Sequence, residues 1–370
     1  MSTMVGGQRG LLPGDVAPWF RGPVLKNNPH FVFDSMAGRH LLLLFSGSMG
    51  GDDVRVALRQ LAAHRDLFDD QRASFFGVTR DRADVEEERI APMLPGIRWF
   101  LDYDGAIARR YDAVADGQPD RDFWVLLDPM MRVVACEGLD RAEHIFQRLR
   151  SMVAVSREDA IAPVLVIPEI FERDFCRHLI GLYEERGGQP SGFMREVDGK
   201  TIGMTDSRVK RRSDLFIRDD EMLREQIQVR FRRRLVPLIE RFLNFQVTRL
   251  ERYVVACYDG DGDGGFFRAH RDNTAAGTAH RRFACTINLN AEDYEGGDLI
   301  FPEFGTRRYR APTGGAVIFG CGMLHEAMPV LRGKRYAFLP FFYDEAAARQ
   351  REQIARSGRV SEELATYRAD

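Results

Sequence analysis

The 370-residue chain is predicted to form two domains, an α/β layered domain followed by a β-sandwich with helices packed outside it. Three observations carry this reading. The length exceeds the ~150 residues of one ordinary domain. Up to about Arg150, short apolar runs of strand length alternate with helix-like stretches. Beyond it, alternating strands separated by Gly-rich turns dominate. The balance of 44% hydrophobic and 29% charged residues suits a globular protein and argues against long disorder. A formal charge of -2 gives no electrostatic reason to expect nucleic acid as partner. No membrane partner is expected either, because no apolar run approaches the ~20 residues of a span. The N-terminal MSTMVGGQRG lacks the apolar stretch of a secretory signal. Five cysteines (Cys136, Cys176, Cys257, Cys285, Cys321) are scattered without a CxxC pair. A disulfide framework and a structural zinc site are therefore not expected, and a reducing cytoplasm is the default location.

Leu41–Phe45 is a continuous apolar run, as in a strand buried on both faces. A helix is expected at Val54–Ala63, with Val54, Leu58 and Leu61 on one side. Further strands are expected at Ser74–Val78, Ile97–Leu101 and Phe123–Leu127. These make a first domain of residues 1–155, with Ser156–Pro163 as a linker. Val164–Pro168 opens a second domain, residues 160–345. Its helices are expected at Glu172–Arg186 and Asp219–Leu243. In the latter, Leu223, Ile227, Phe231, Leu235 and Phe242 fall near one face, and Pro237 should kink it. Phe283, Cys285, Ile287 and Leu289 alternate with small or polar residues, as in a half-buried strand. Residues 346–370 read as a charged helical tail. Arg230, Arg232, Arg233 and Arg234 read as the wet face of a helix, and Arg208, Lys210, Arg211 and Arg212 as a solvated charged loop, with attraction of an acidic substrate as the alternative.

The segment Tyr258–Asp272 reads YDGDGDGGFFRAHRD. On a strand, His270 and Asp272 project from one face. His325 follows the apolar run Ala316–Phe319. If the two strands neighbour each other, two His and one carboxylate converge on one side of a metal, the facial arrangement of non-haem Fe(II) oxygenases. Arg335 opens the strand RYAFLPFFY, whose inward set would be Arg335, Ala337 and Leu339. Its guanidinium could pair bidentately with the far carboxylate of a bound ligand. Asp259, Asp261 and Asp263 imitate an EF-hand loop, but its twelfth position is His270 rather than Glu, and strands flank it. Calcium is excluded.

The region from about Val164 to Glu345 resembles the prolyl 4-hydroxylase-type Fe(II)/2-oxoglutarate dioxygenases. VACYDGDGDGGFFRAHRDN carries the likeness, with INLN, GGDLIFPE and GAVIFG in family order. The resemblance implies a double-stranded β-helix (jelly roll) in which His270, Asp272 and His325 hold Fe(II) and Arg335 binds 2-oxoglutarate. No catalytic side chain beyond the metal centre is implied. Tyr258 falls at the family's pocket Tyr, and Asn288 where relatives often carry a Tyr that helps hold the cosubstrate. The implied cofactors are Fe(II), 2-oxoglutarate and O2, with L-ascorbate admitted as a reductant. The implied reaction is C–H hydroxylation with release of succinate and CO2. Related halogenases replace the carboxylate ligand, so Asp272 favours hydroxylation. A prolyl residue in a peptide or protein comes first as substrate; a free amino acid or other small metabolite is the alternative.

LLPGDVAPWF, the strand at Leu41–Phe45 and FWVLLDPMMRVV resemble the peroxiredoxin branch of the thioredoxin fold. A peroxidatic enzyme needs a low-pKa thiolate just after the early strand. FSGSMGGDD supplies Ser46 and Ser48 there, and no Cys precedes Cys136. The resemblance thus implies the fold without the redox activity, and a docking or substrate-presenting module. A catalytically silent two-domain binding protein is the competing reading for the whole chain.

Overall fold

A computed structural model describes residues 10–26, 28–155, 160–197, 199–262 and 264–360. The chain divides into two compact units. One runs to Ala160 and takes in Pro302–Gly305; the other holds Ile161–Phe301 and resumes at Thr306. Among the described residues, no helix is long and apolar enough to cross a membrane.

In the first unit a five-stranded sheet has the order Ile97–Leu101, Ala73–Thr79, His40–Ser46, Phe123–Leu127, Val133–Gly138. The first three are parallel and the last two antiparallel. His40–Ser46 lies in the middle and is buried along its whole length, which explains its unbroken apolar run. The helices Asp52–Ala63 and Ala142–Val153 bury Val54, Ala57 and Leu61, and Ile145, Phe146 and Leu149, in one core with the sheet. This arrangement is thioredoxin-like. The turn after the central strand is held by ion pairs and hydrogen bonds instead of presenting a thiol. Buried Asp84 accepts from the Met49 amide at 2.9 Å and from Arg89 at 3.1 Å, while Ser48 donates to Asp81 at 2.7 Å. The unit's cysteine, Cys136, sits in the strand Val133–Gly138, where burial pushes its thiol up to about 11. A thiol that stays protonated at neutral pH is a poor nucleophile. The intact protein is therefore expected to show no thiol-dependent peroxide consumption above a boiled control, and turnover above that level would contradict this account of the turn.

The second unit is a double-stranded β-helix. Its larger sheet runs Arg249–Glu251, Phe341–Tyr343, Phe283–Asn288, Lys334–Phe338, Val254–Asp259, Ser213–Phe216 and Gln189–Pro190. Ala316–Gly320 pairs with Phe283–Asn288, and Leu165–Ile167 with Ala316–Gly320. The smaller sheet runs Lys210–Arg211, Phe266–His270, His325–Ala327, Leu299–Ile300, Arg308–Tyr309. Strand alternation divides the larger sheet. Val255, Cys257, Cys285, Ile287, Tyr336 and Phe338 pack on the helices Arg173–Arg186 and Glu221–Leu243. Their neighbours along each strand turn to the opposite face.

The second long helix corrects one expectation. Leu223, Ile227, Phe231 and Leu235 are buried as expected, but Phe242 is 58% exposed and Ile239 takes its place in the core. Phe231–Leu235 forms a π-helical turn just before Val236–Leu243, with Pro237 in that helix's first turn. Proline has no N–H to continue the ladder, and the wider turn rotates all that follows about the helix axis. Ile239→Ala should then cost about 2–5 kcal/mol of stability, whereas Phe242→Ala should stay within about 0.5 kcal/mol. Urea unfolding of the two variants checks the assignment; equal losses would refute it. Arg230 and Arg234 both pair with Glu172, at 2.7 and 2.5 Å, and Arg232 pairs with Glu225 on the exposed side. The tail forms a helix, Glu345–Arg356. Parts of the expected linker (156–159) and tail (361–370), and Asp263, lie outside the described residues.

Candidate active site

His270 ends its strand and stands directly opposite His325 on the neighbouring strand of the smaller sheet. Asp272 lies in the turn just beyond, so the strand period does not place it. Its amide donates to the Cys321 carbonyl at 3.0 Å, which folds the turn back toward His325. The outcome is the expected cluster. One ligand atom from each of the three residues lies within 4.8 Å of the others. Nε2 of His270 is 3.6 Å from Asp272 Oδ1, and Nε2 of His325 is 3.4 Å from Oδ2. On both rings Nδ1 donates to a carbonyl, that of Arg268 at 2.7 Å and of Met323 at 3.1 Å. Those bonds leave the Nε2 lone pairs directed at the shared centre. Burial, with His270 alongside, drives the His325 pKa down to about 4, so the ring is neutral at pH 7. Burial alone would raise the Asp272 carboxyl, but His325 and His270 draw it well below the usual carboxylate range. Two imidazoles and one carboxylate could hold a divalent first-row metal and leave coordination positions open.

Across the barrel, Arg335 stands opposite Tyr258, and its guanidinium carbon lies 4.9 Å from the centre of that ring. Arg335 is buried, yet its Nε and Nη1 have no hydrogen-bond partner among the described residues. Buried guanidinium donors left unmade are costly, and a carboxylate presented to them would remove that cost. Ala256 and Ala337 lie side by side on the same face, placing methyl groups next to Tyr258 and this cation. The strand ends at Phe338, so Leu339 lies beyond the inward set. Neighbouring cations are exposed and spoken for: Arg332 pairs with Glu295, and Lys334 lies 3.5 Å from Asp259. Asn288, opposite Ala337, donates its amide to the Ala311 carbonyl at 2.7 Å and leaves its Oδ1 unpaired.

The basic run Arg208–Arg212 corrects a second expectation. Arg208 is exposed and pairs with Asp206, but Lys210 is buried, and the Arg212 side chain is only 5% exposed. Arg212 makes a two-bond pair with buried Asp214 at 2.7 Å each and donates to the Tyr258 hydroxyl at 3.2 Å. Arg252 reaches the same carboxylate at 3.2 Å. A row of arginines looks like a wet loop in sequence. Here it enters a sheet edge, and strand alternation sends every second side chain inward.

The family model of the 2OG-Fe(II) oxygenase superfamily matches residues 253–343, which hold the metal cluster and Arg335. A PKHD-type hydroxylase of Pseudomonas fluorescens is 30% identical over 207 residues, 52% of this chain and 82% of that protein. The chain belongs to this oxygenase superfamily. The PKHD-type hydroxylase PiuC of Pseudomonas aeruginosa is 32% identical over 105 residues, and the chain spans 44% of that relative's length. Among solved structures, a prolyl-4-hydroxylase of Pseudomonas putida superposes with a TM-score of 0.36 at 20% identity, covering 49% of this chain and 92% of that one.

Proposed function

We propose that this protein is an Fe(II)- and 2-oxoglutarate-dependent dioxygenase that hydroxylates a C–H bond of a prolyl unit, with release of succinate and CO2. The observation that carries the reading is the pairing of two features across one barrel. One is a two-histidine, one-carboxylate cluster; the other is a buried arginine with unmade donors. His270, Asp272 and His325 would hold the metal, and Arg335 would receive the far carboxylate of 2-oxoglutarate. Bound Fe(II) supplies O2 activation coupled to decarboxylation of the cosubstrate. The chain's own residues supply the rest. The carbonyls of Arg268 and Met323 fix the imidazole tautomers, and Asp272 offsets part of the metal charge. Tyr258 floors the pocket beneath Arg335. L-Ascorbate would act only by keeping the iron reduced, and the thioredoxin-like unit would serve docking or substrate presentation.

Purified protein supplied with Fe(II), 2-oxoglutarate and O2 should form succinate, and an untargeted search of treated cell extract should find products heavier by one oxygen atom. Failure to form succinate with extract present would sink the enzymatic reading in favour of a silent binding protein.

A further inference from the structure

The face of the smaller sheet that carries the two histidines also carries a buried lysine. Lys210 stands opposite Phe267 on the neighbouring strand, so the two side chains share a face. The Lys210 ammonium lies 4.6 Å from the centre of the Phe267 ring, and that ring stacks on His270 with centroids 3.5 Å apart. Lys210 is the one lysine that is buried among the described residues. Lysine is rarely buried without an anion beside it. Its hydrogen-bond partners here are the Ser191 hydroxyl at 2.7 Å and the Gly192 carbonyl at 2.6 Å, both uncharged. The nearby carboxylate of Asp214 is already committed to Arg212 and Arg252.

Basic groups outnumber acidic ones around Lys210. Arg212 and Arg252 share the one carboxylate of Asp214, and burial beside these two guanidiniums holds the Lys210 pKa well below its usual value. Fe(II) and the 2-oxoglutarate dianion carry equal and opposite charges, so loading the site leaves the excess in place. A neutral substrate would seal that excess into a drier pocket, which is unfavourable; an anionic one would offset it. We infer that the substrate is a carboxylate-bearing prolyl compound whose carboxylate docks on Lys210, beside the metal. This rests on the oxygenase reading above and narrows its substrate class.

The test measures dissociation constants by calorimetry on the full chain loaded with Mn(II) and 2-oxoglutarate, so that no turnover intervenes. Two matched probe pairs are used: N-acetyl-L-proline against its amide, and capped Ala-Pro-Glu against capped Ala-Pro-Gln. The acid of at least one pair should bind about tenfold tighter than its neutral partner, and which pair does so locates the carboxylate on the terminus or on a side chain. Lys210→Met should abolish the preference while leaving 2-oxoglutarate affinity within about twofold. Lys210→Gln, which keeps a donor toward Ser191, serves if the Met variant does not fold. Equal binding within both pairs, binding of none of the four probes, or a preference that survives the substitution overturns the inference. Succinate formation assayed on the same preparation separates the two failures. Succinate without an acid preference refutes only the substrate class, whereas absence of succinate strikes the oxygenase reading itself.

Discussion

Asp272→Ala should weaken divalent metal binding by at least about a hundredfold while the fold persists. Loss of a single outer hydrogen-bond partner at a metal site already costs ~10–100-fold, and Asp272 would contribute both a ligand atom and the negative charge of the cluster. Its oxygens lie 3.6 and 3.4 Å from the two Nε2 atoms, and neither imidazole can replace that charge. The turn that holds residue 272 should survive, because it depends on the backbone bond to the Cys321 carbonyl. Calorimetric titration with Mn(II) gives the affinity, and circular dichroism reports the fold. Wild-type affinity in the variant would remove Asp272 from the metal centre and with it the proposed ligand set.

Arg335→Ala should raise the 2-oxoglutarate KM at least about tenfold and barely alter metal affinity. A charge-assisted hydrogen bond is worth roughly 1.5–3 kcal/mol, and ~1.4 kcal/mol is a factor of ten. The guanidinium is buried with Nε and Nη1 unpartnered among the described residues, so those donors are available to a ligand carboxylate. Arg332→Ala and Lys334→Ala are the controls, since both residues are exposed and paired outside the barrel. If either control raises KM while Arg335→Ala does not, the cosubstrate lies elsewhere. An accompanying loss of metal affinity in Arg335→Ala would show instead that the residue supports the fold of the site.

The residues that form the candidate centre were legible because their chemistry is uncommon in combination. An HxD pair, a distant His and a basic residue opening the next strand make a pattern that few other constraints produce. The unbroken apolar run at Leu41–Phe45 and the alternation through Phe283–Leu289 likewise state their burial directly, since strand period is a property of neighbours in sequence. Even there the route differed, because Asp272 reaches the cluster from a turn and not from the strand face.

What the chain could not disclose by itself depends on partners far away in sequence. Ile239 replaces Phe242 in the core because a π turn before Pro237 rotates the helix, and the larger sheet fixes which side is covered. Lys210 and Arg212 resemble a solvated run until Lys210–Arg211 pairs with Phe266–His270 and Ser213–Phe216 pairs with Val254–Asp259. Those pairings turn two basic side chains into the barrel beside Phe267 and Tyr258. Local periodicity and ligand chemistry are carried by adjacent residues. Whether a charge meets water or a metal site is decided by register between strands tens of residues apart, and only the tertiary structure holds that information.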